Sequence, residues 1–151
     1  MKLYRLTRKK YLDGALTGEG ARLGGGRWNN KGTALVYASE HPALALLELR
    51  VHVPGTPPKD YQMLVIECPE SSVQTLAITD LPTNWDEYLS GPHTREIGDH
   101  FAAERKFLAL KVPSVITPIG YNLLLNPYHA LMREVQVLES FPQRFDPRLW
   151  G

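Results

Sequence analysis

Gly24-Gly25-Gly26-Arg27-Trp28-Asn29 sets three glycines directly before an arginine and a tryptophan. Glycine lets a backbone approach a ligand closely and exposes its N–H groups. The Arg27 guanidinium is planar, permanently charged and forked, which suits phosphate or carboxylate. Gly26 brings the backbone close, and Trp28 is apolar enough to pin such a loop to a core. The run is not a Walker loop, which needs a Lys-Ser/Thr pair after its last glycine. Nor is it a dinucleotide fingerprint, which needs a strand leading in and a helix leading out. A surface turn whose arginine makes an ordinary ion pair fits these residues equally well.

Glu48 carries a different signal. On a helix, Leu44, Leu47, Glu48 and Val51 stand at i, i+3, i+4 and i+7, one continuous stripe. A carboxylate in an apolar stripe must find a partner or shift its pKa upward. Such sites are over-represented where chemistry happens, although an arginine can also satisfy a buried glutamate structurally. Tyr37 ends a predicted strand just before this helix, and on its own reads as a core aromatic with a wet hydroxyl. Ser114 reads locally as a turn hydroxyl. Asn126, before Pro127, reads as a turn former. The five histidines show no metal-ligand spacing, so no metal is expected. Cys68 is expected to be a buried, inert thiol at a strand end.

These residues need a scaffold. The chain's 151 residues suit a single domain, 1–151, with one core, and 43% hydrophobic residues with 22% charged ones fit a soluble globular class. No run is long enough to span a bilayer, the first ten residues lack a secretory apolar core, and a single cysteine excludes an internal disulfide. A cytoplasmic location is expected. A net charge of +1 provides no global field for nucleic acid or anionic lipid, so neither is expected as a direct partner. The basic run from Arg5 to Lys10 reads as the solvated end of the first element.

Strands are expected over Lys2–Leu6, Ala34–Tyr37, Met63–Glu67, Val73–Ile78, Phe107–Val112, Val115–Thr117, Asn122–Leu125 and Glu134–Leu138. Helices are expected over 40–52, with Ser39 as N-cap and Pro42 in the first turn, and over 94–105. Glycine-rich 18–26 is expected to be neither helix nor strand, 53–60 and 81–91 irregular, and the tail from Phe145 to Trp150 docked on the body. Strands and helices mix without regular βαβ alternation, which points to an α+β domain with largely antiparallel strands.

Taken in order, several segments resemble the RES domain, named for its Arg, Glu and Ser. They are Gly20-Ala-Arg-Leu-Gly-Gly-Gly-Arg-Trp-Asn29, Gly32, Val36-Tyr37-Ala-Ser-Glu-His-Pro-Ala43, Leu46-Leu47-Glu48, Val112-Pro-Ser114, Asn122-Leu-Leu-Leu-Asn-Pro127 and Phe145-Asp-Pro-Arg-Leu149. The resemblance maps the named residues onto Arg27, Glu48 and Ser114. It implies an ADP-ribosyltransferase-like fold and the toxin of a type II toxin–antitoxin pair that consumes NAD⁺ by hydrolysis or phosphorolysis. NAD⁺ is then the substrate, with no separate cofactor. The implied partner is a cognate Xre-family antitoxin, and the toxin–antitoxin complex leaves room for a homodimer.

Cleavage of the nicotinamide–ribose bond passes through an oxocarbenium-like state, as in glycoside hydrolysis. Glu48 would stabilise that charge, Tyr37 would stack on nicotinamide, and Arg27 would hold phosphate. Ser114 and Asn126 would be polar supports. Transfer of ADP-ribose to a macromolecule needs the same site, so the sequence leaves that alternative open. A non-catalytic binding module is the third reading.

Overall fold

The computed structural model describes residues 1–89 and 91–151, in the order β1 (Lys2–Arg8), α1 (Glu19–Gly24), β2 (Val36–Ser39), α2 (Pro42–His52), β3 (Tyr61–Glu67), β4 (Val73–Thr75), α3 (Pro92–Glu104), β5 (Ala109–Pro113), β6 (Tyr121–Leu125) and β7 (Gln136–Pro142). Short 3-10 turns fill several connections. The strands form one seven-stranded sheet in the order β4-β5-β6-β2-β1-β3-β7. Only the β4–β5 pair is parallel. The expected α+β, mainly antiparallel class is what the chain adopts.

Period-two alternation gives the sheet two apolar faces. Val36, Ala38, Leu64, Ile66, Leu123 and Leu125 look to one side, covered by Leu12, Leu131 and Met132. Leu35, Leu110, Val112 and Leu124 look to the other, where Trp28, Trp85 and Phe101 cover them. Asn122 shares the second face with Leu124, two residues along the same strand. β1 and β3 pair along seven residues, whereas β1 and β2 share one pair, Tyr4↔Ser39.

Several expectations need correction. Residues 19–24 form a short helix despite their glycines. Gly18, at φ +72°, starts it, and a Cβ there would lie 2.8 Å from Leu35 N. Ser39 is the last residue of β2, and the cap of α2 is His41, whose Nδ1 accepts from Ala43 N–H at 3.2 Å. Pro42 opens that helix as expected. Residues 115–117 form no strand but part of a turn closed by Ser114 N–H on Gly120 O, 2.9 Å. β4 stops at Thr75, and β7 lies later than expected, at Gln136–Pro142. Arg5 is half-buried rather than solvated, with its Nε enclosed. It alternates inward with Leu3 and Thr7 on β1, and only Arg8, Lys9 and Lys10 of the basic run are exposed. The tail does dock: Trp150 is buried, its Nε1–H donates to Val53 O at 2.9 Å, and Arg50 Nε–H donates to Leu149 O.

Candidate active site

The glycine loop is tied by Asn29, whose side chain is fully buried. Its Nδ2 fans over the carbonyls of Ala21 (2.9 Å), Asn30 (3.0 Å) and Thr33 (3.1 Å), satisfying α1's end and the following turn. Its Oδ1 accepts from the Tyr37 hydroxyl at 2.7 Å. The same hydroxyl accepts from Trp28 N–H at 3.2 Å. Gly26 pairs with Asn29 in a tight bridge. A Cβ at Gly26 would stand 2.7 Å from the Tyr37 oxygen, so a side chain there would push out the tyrosine. Trp28 is 3% exposed and packs with Leu35 and Phe101, the pin that its size suggested. Helix α3 clamps the loop from outside. Asp99 accepts from Asn30 N–H at 3.0 Å and from Asn30 Nδ2 at 2.8 Å.

Tyr37 is neutral at every physiological pH, because burial pushes its phenol well above the ordinary value. It is therefore a donor and an aromatic wall, not a base. Arg5 lies beside it: its Nη1 donates to Tyr37 O at 2.7 Å. Burial lowers the Arg5 pKa, no carboxylate compensates its charge, and its Nε is buried without a partner among the described residues.

Arg27 Nη1 donates to two backbone carbonyls, Trp85 O at 2.9 Å and Glu87 O at 3.0 Å. It thus holds the irregular 81–89 segment rather than a surface acid. Burial lowers its pKa, and the nearby Glu48 carboxylate opposes that fall most strongly. The two groups therefore share one electrostatic neighbourhood. Arg27 makes no hydrogen bond through Nε or Nη2 among the described residues, so both remain available.

Glu48 projects from α2 toward the second sheet face. Ser114 Oγ donates to its Oε1 at 2.9 Å and Asn122 Nδ2 to the same oxygen at 2.6 Å. Oε2 has no hydrogen-bond partner among the described residues. The expected apolar stripe is only half buried: Leu44 is 5% exposed, but Leu47 is 40% and Val51 58% exposed. The buried face centres on Leu44 and Ala45, which places Glu48 at its edge, where one oxygen can be tied and the other left open. Two grooves flank the site. One of about 530 Å³ is lined by the Gly24–Gly26 backbone, Asn29, Asn30, Lys31 and Arg95, and one of about 240 Å³ lies against Leu44, Thr117 and Gly120. Glu48 lines neither groove.

The structure brings Glu48 and Ser114 together, with Arg27 and Tyr37 beside Gly26 and Trp28. It does not bring Asn126 to Glu48. Asn126 is fully buried at the far end of β6, where Nδ2 donates to Ala102 O (3.0 Å) and Oδ1 accepts from Tyr128 N–H (3.1 Å). Asn122, four residues earlier, occupies the position by Glu48. Arg5, Asn29 and Asn122 are the residues the sequence reading gave no role. Alternation along β1 and β6 was the available signal for Arg5 and Asn122, and Asn29 had none. Cys68 is buried, with burial raising its thiol pKa, as an inert thiol should be. Among the described residues no three His, Cys, Asp or Glu side chains group as metal ligands, and no helix is long and apolar enough to cross a membrane.

The RES domain family matches residues 2–146 of this chain. Toxin Res of Yersinia enterocolitica is 36% identical over 151 residues, 99% of each chain. The Prs ADP-ribosylating toxin of a Sphingobium species is 36% identical over 138 residues, covering 89% of this chain and 86% of that one. The fold is shared with the M. tuberculosis MbcT–MbcA toxin–antitoxin complex, at a TM-score of 0.76 and 19% identity over 99% of this chain and 86% of that one. That likeness agrees with the mainly antiparallel α+β fold expected from the sequence. With the matched family spanning nearly every element that builds the site, the chain belongs to the RES domain family of toxins.

Proposed function

We propose that this toxin cleaves the nicotinamide–ribose bond of NAD⁺, with water or phosphate as the acceptor. The observation that carries the reading is the Glu48 carboxylate, tied at Oε1 by Ser114 and Asn122 and unpaired at Oε2. As nicotinamide leaves, the ribose C1′–N bond breaks and positive charge develops on the sugar ring. A preorganised carboxylate stabilises that charge without reorganising. Oε2 is placed to orient the ribose or the attacking nucleophile. Tyr37 supplies an aromatic wall for nicotinamide. Arg27 supplies positive charge for the pyrophosphate. Nicotinamide leaves as a neutral molecule from a cationic substrate, so neither a cofactor nor a metal is needed.

A second reading, transfer of ADP-ribose to a macromolecule, is favoured by the Sphingobium relative, which is named an ADP-ribosylating toxin. The acceptor at C1′ alone separates the two. Purified toxin incubated with NAD⁺ is expected to release nicotinamide together with ADP-ribose, or with ADP-ribose 1″-phosphate when phosphate is added. Absence of free products, with label appearing on cellular protein or nucleic acid, would replace cleavage by transfer. The partner is a cognate Xre-family antitoxin that covers the cleft, in a complex that can contain a toxin homodimer. The solved neighbour, a toxin with its antitoxin, supports a partner of this kind. The toxin acts in the cytoplasm, where NAD⁺ and the partner are found.

Arg27 provides a test of substrate holding. Titrating NAD⁺ into a catalytically silenced background, Arg27→Ala is expected to bind on the order of tenfold more weakly, as for loss of a charge-assisted hydrogen bond. Arg27→Lys should fall between, because it keeps the charge but loses the fork. Unchanged affinity in both would restrict Arg27 to holding the Trp85 and Glu87 carbonyls.

A further inference from the structure

Each donor to Glu48 Oε1 is itself held by another hydrogen bond. Ser114 Oγ accepts from Ile116 N–H at 3.1 Å, so its own proton is directed at the carboxylate. Asn122 is held through its oxygen: Ser39 Oγ donates to Asn122 Oδ1 at 2.7 Å. The two ends of an asparagine amide are nearly alike in shape, and hydrogen bonding alone decides which end faces a neighbour. Turned over, Asn122 would set its oxygen against a carboxylate oxygen, an acceptor facing an acceptor. Ser39 is 4% exposed and sits directly opposite the half-buried Asn122 in the β2–β6 register, so the Ser39 hydroxyl has no bulk water as an alternative partner.

We propose that Ser39 is a positioning residue: its hydroxyl locks the Asn122 amide, which in turn aims the Glu48 carboxylate. The inference rests on Glu48 being the carboxylate that stabilises the reacting sugar. Ser39 acts only through Asn122. Its loss should therefore fall on kcat, while KM, set by the Arg27 and Tyr37 side of the cleft, stays put. Chains of oriented hydrogen bonds behave as units, so the two residues should not act independently.

The test is a double-mutant cycle of Ser39→Ala, Asn122→Ala and the pair, with steady-state NAD⁺ cleavage and thermal melts for each. Ser39→Ala is expected to lower kcat on the order of tenfold, with KM within about twofold. The double variant should be no slower than Asn122→Ala alone. Ser39→Thr, which restores the hydroxyl, should recover most of the loss. Should Ser39→Ala melt early, Ser39→Cys refills the volume with a weak donor and must show the same kcat loss. Losses that multiply in the double variant, or a normal kcat in Ser39→Ala, overturn the proposal. If the wild type releases no nicotinamide, NAD⁺ cleavage fails as the function. The same cycle is then read from growth arrest on expression, where the double variant should again match Asn122→Ala.

Discussion

Glu48→Gln is expected to slow NAD⁺ cleavage by a factor on the order of 10²–10³ while the protein stays folded. The amide oxygen of glutamine can still accept from Ser114 Oγ and Asn122 Nδ2, so the two bonds that seat the side chain survive. What disappears is the negative charge, which matters most when the sugar becomes cationic and little before. The loss should therefore appear in kcat rather than in KM. Measuring nicotinamide release alongside a thermal melt checks both halves of the expectation. Turnover near the wild-type rate would remove Glu48 from the chemistry.

Gly98→Ala is expected to be the most damaging small change outside the reacting groups. A Cβ at Gly98 would lie 1.6 Å from Trp28 O and 2.8 Å from Trp28 C, both backbone atoms. No rotamer change relieves that contact, so α3 must lift from the loop that it clamps. A penalty of about 3 kcal/mol or more follows, or a melting temperature lower by roughly 6–12 °C at this chain length. Activity should fall with it, because Asp99 would no longer reach Asn30. Gly20→Ala is the control: nothing lies within 4 Å of its Cβ, and it sits inside α1, so it should be neutral or slightly stabilising. A Gly98→Ala melt within about 2 °C of the wild type would show that the helix–loop contact yields easily.

Local pattern made helix α2 and the strands around it legible, because alternation and helical spacing report burial directly. Glu48 stood out for that reason, although the stripe was read too widely: only Leu44 of its apolar members is buried, and Leu47 and Val51 face outward. Arg27 and Tyr37 were legible as types, but their partners were not. Those partners are the carbonyls of Trp85 and Glu87 for one, and Asn29 for the other, all set by long-range folding. Asn122 and Asn126 flank one apolar run and lie on one strand face. Only the placement of α2 against the start of β6 makes the first a neighbour of Glu48 and leaves the second a strut on Ala102. Propensity failed at 19–24, where glycines form a helix because Gly18 takes a left-handed turn and Asn29 gathers the chain beyond it.

The single Tyr4↔Ser39 pair between β1 and β2 has a mechanical meaning. One half of the sheet, β1 with β3 and β7, is laced along whole strands, as is the other, β2 with β6 and β5. Compliance is therefore concentrated along one line, and helix α2, resting on both β1 and β2, lies across it like a splint. Ser39, the last rung of that line, also belongs to the chain of contacts ending at Glu48. A slight opening of the sheet along this line would thus be felt first as a misaimed carboxylate. A bound molecule that wedges the two halves apart could silence the toxin without touching its reacting groups.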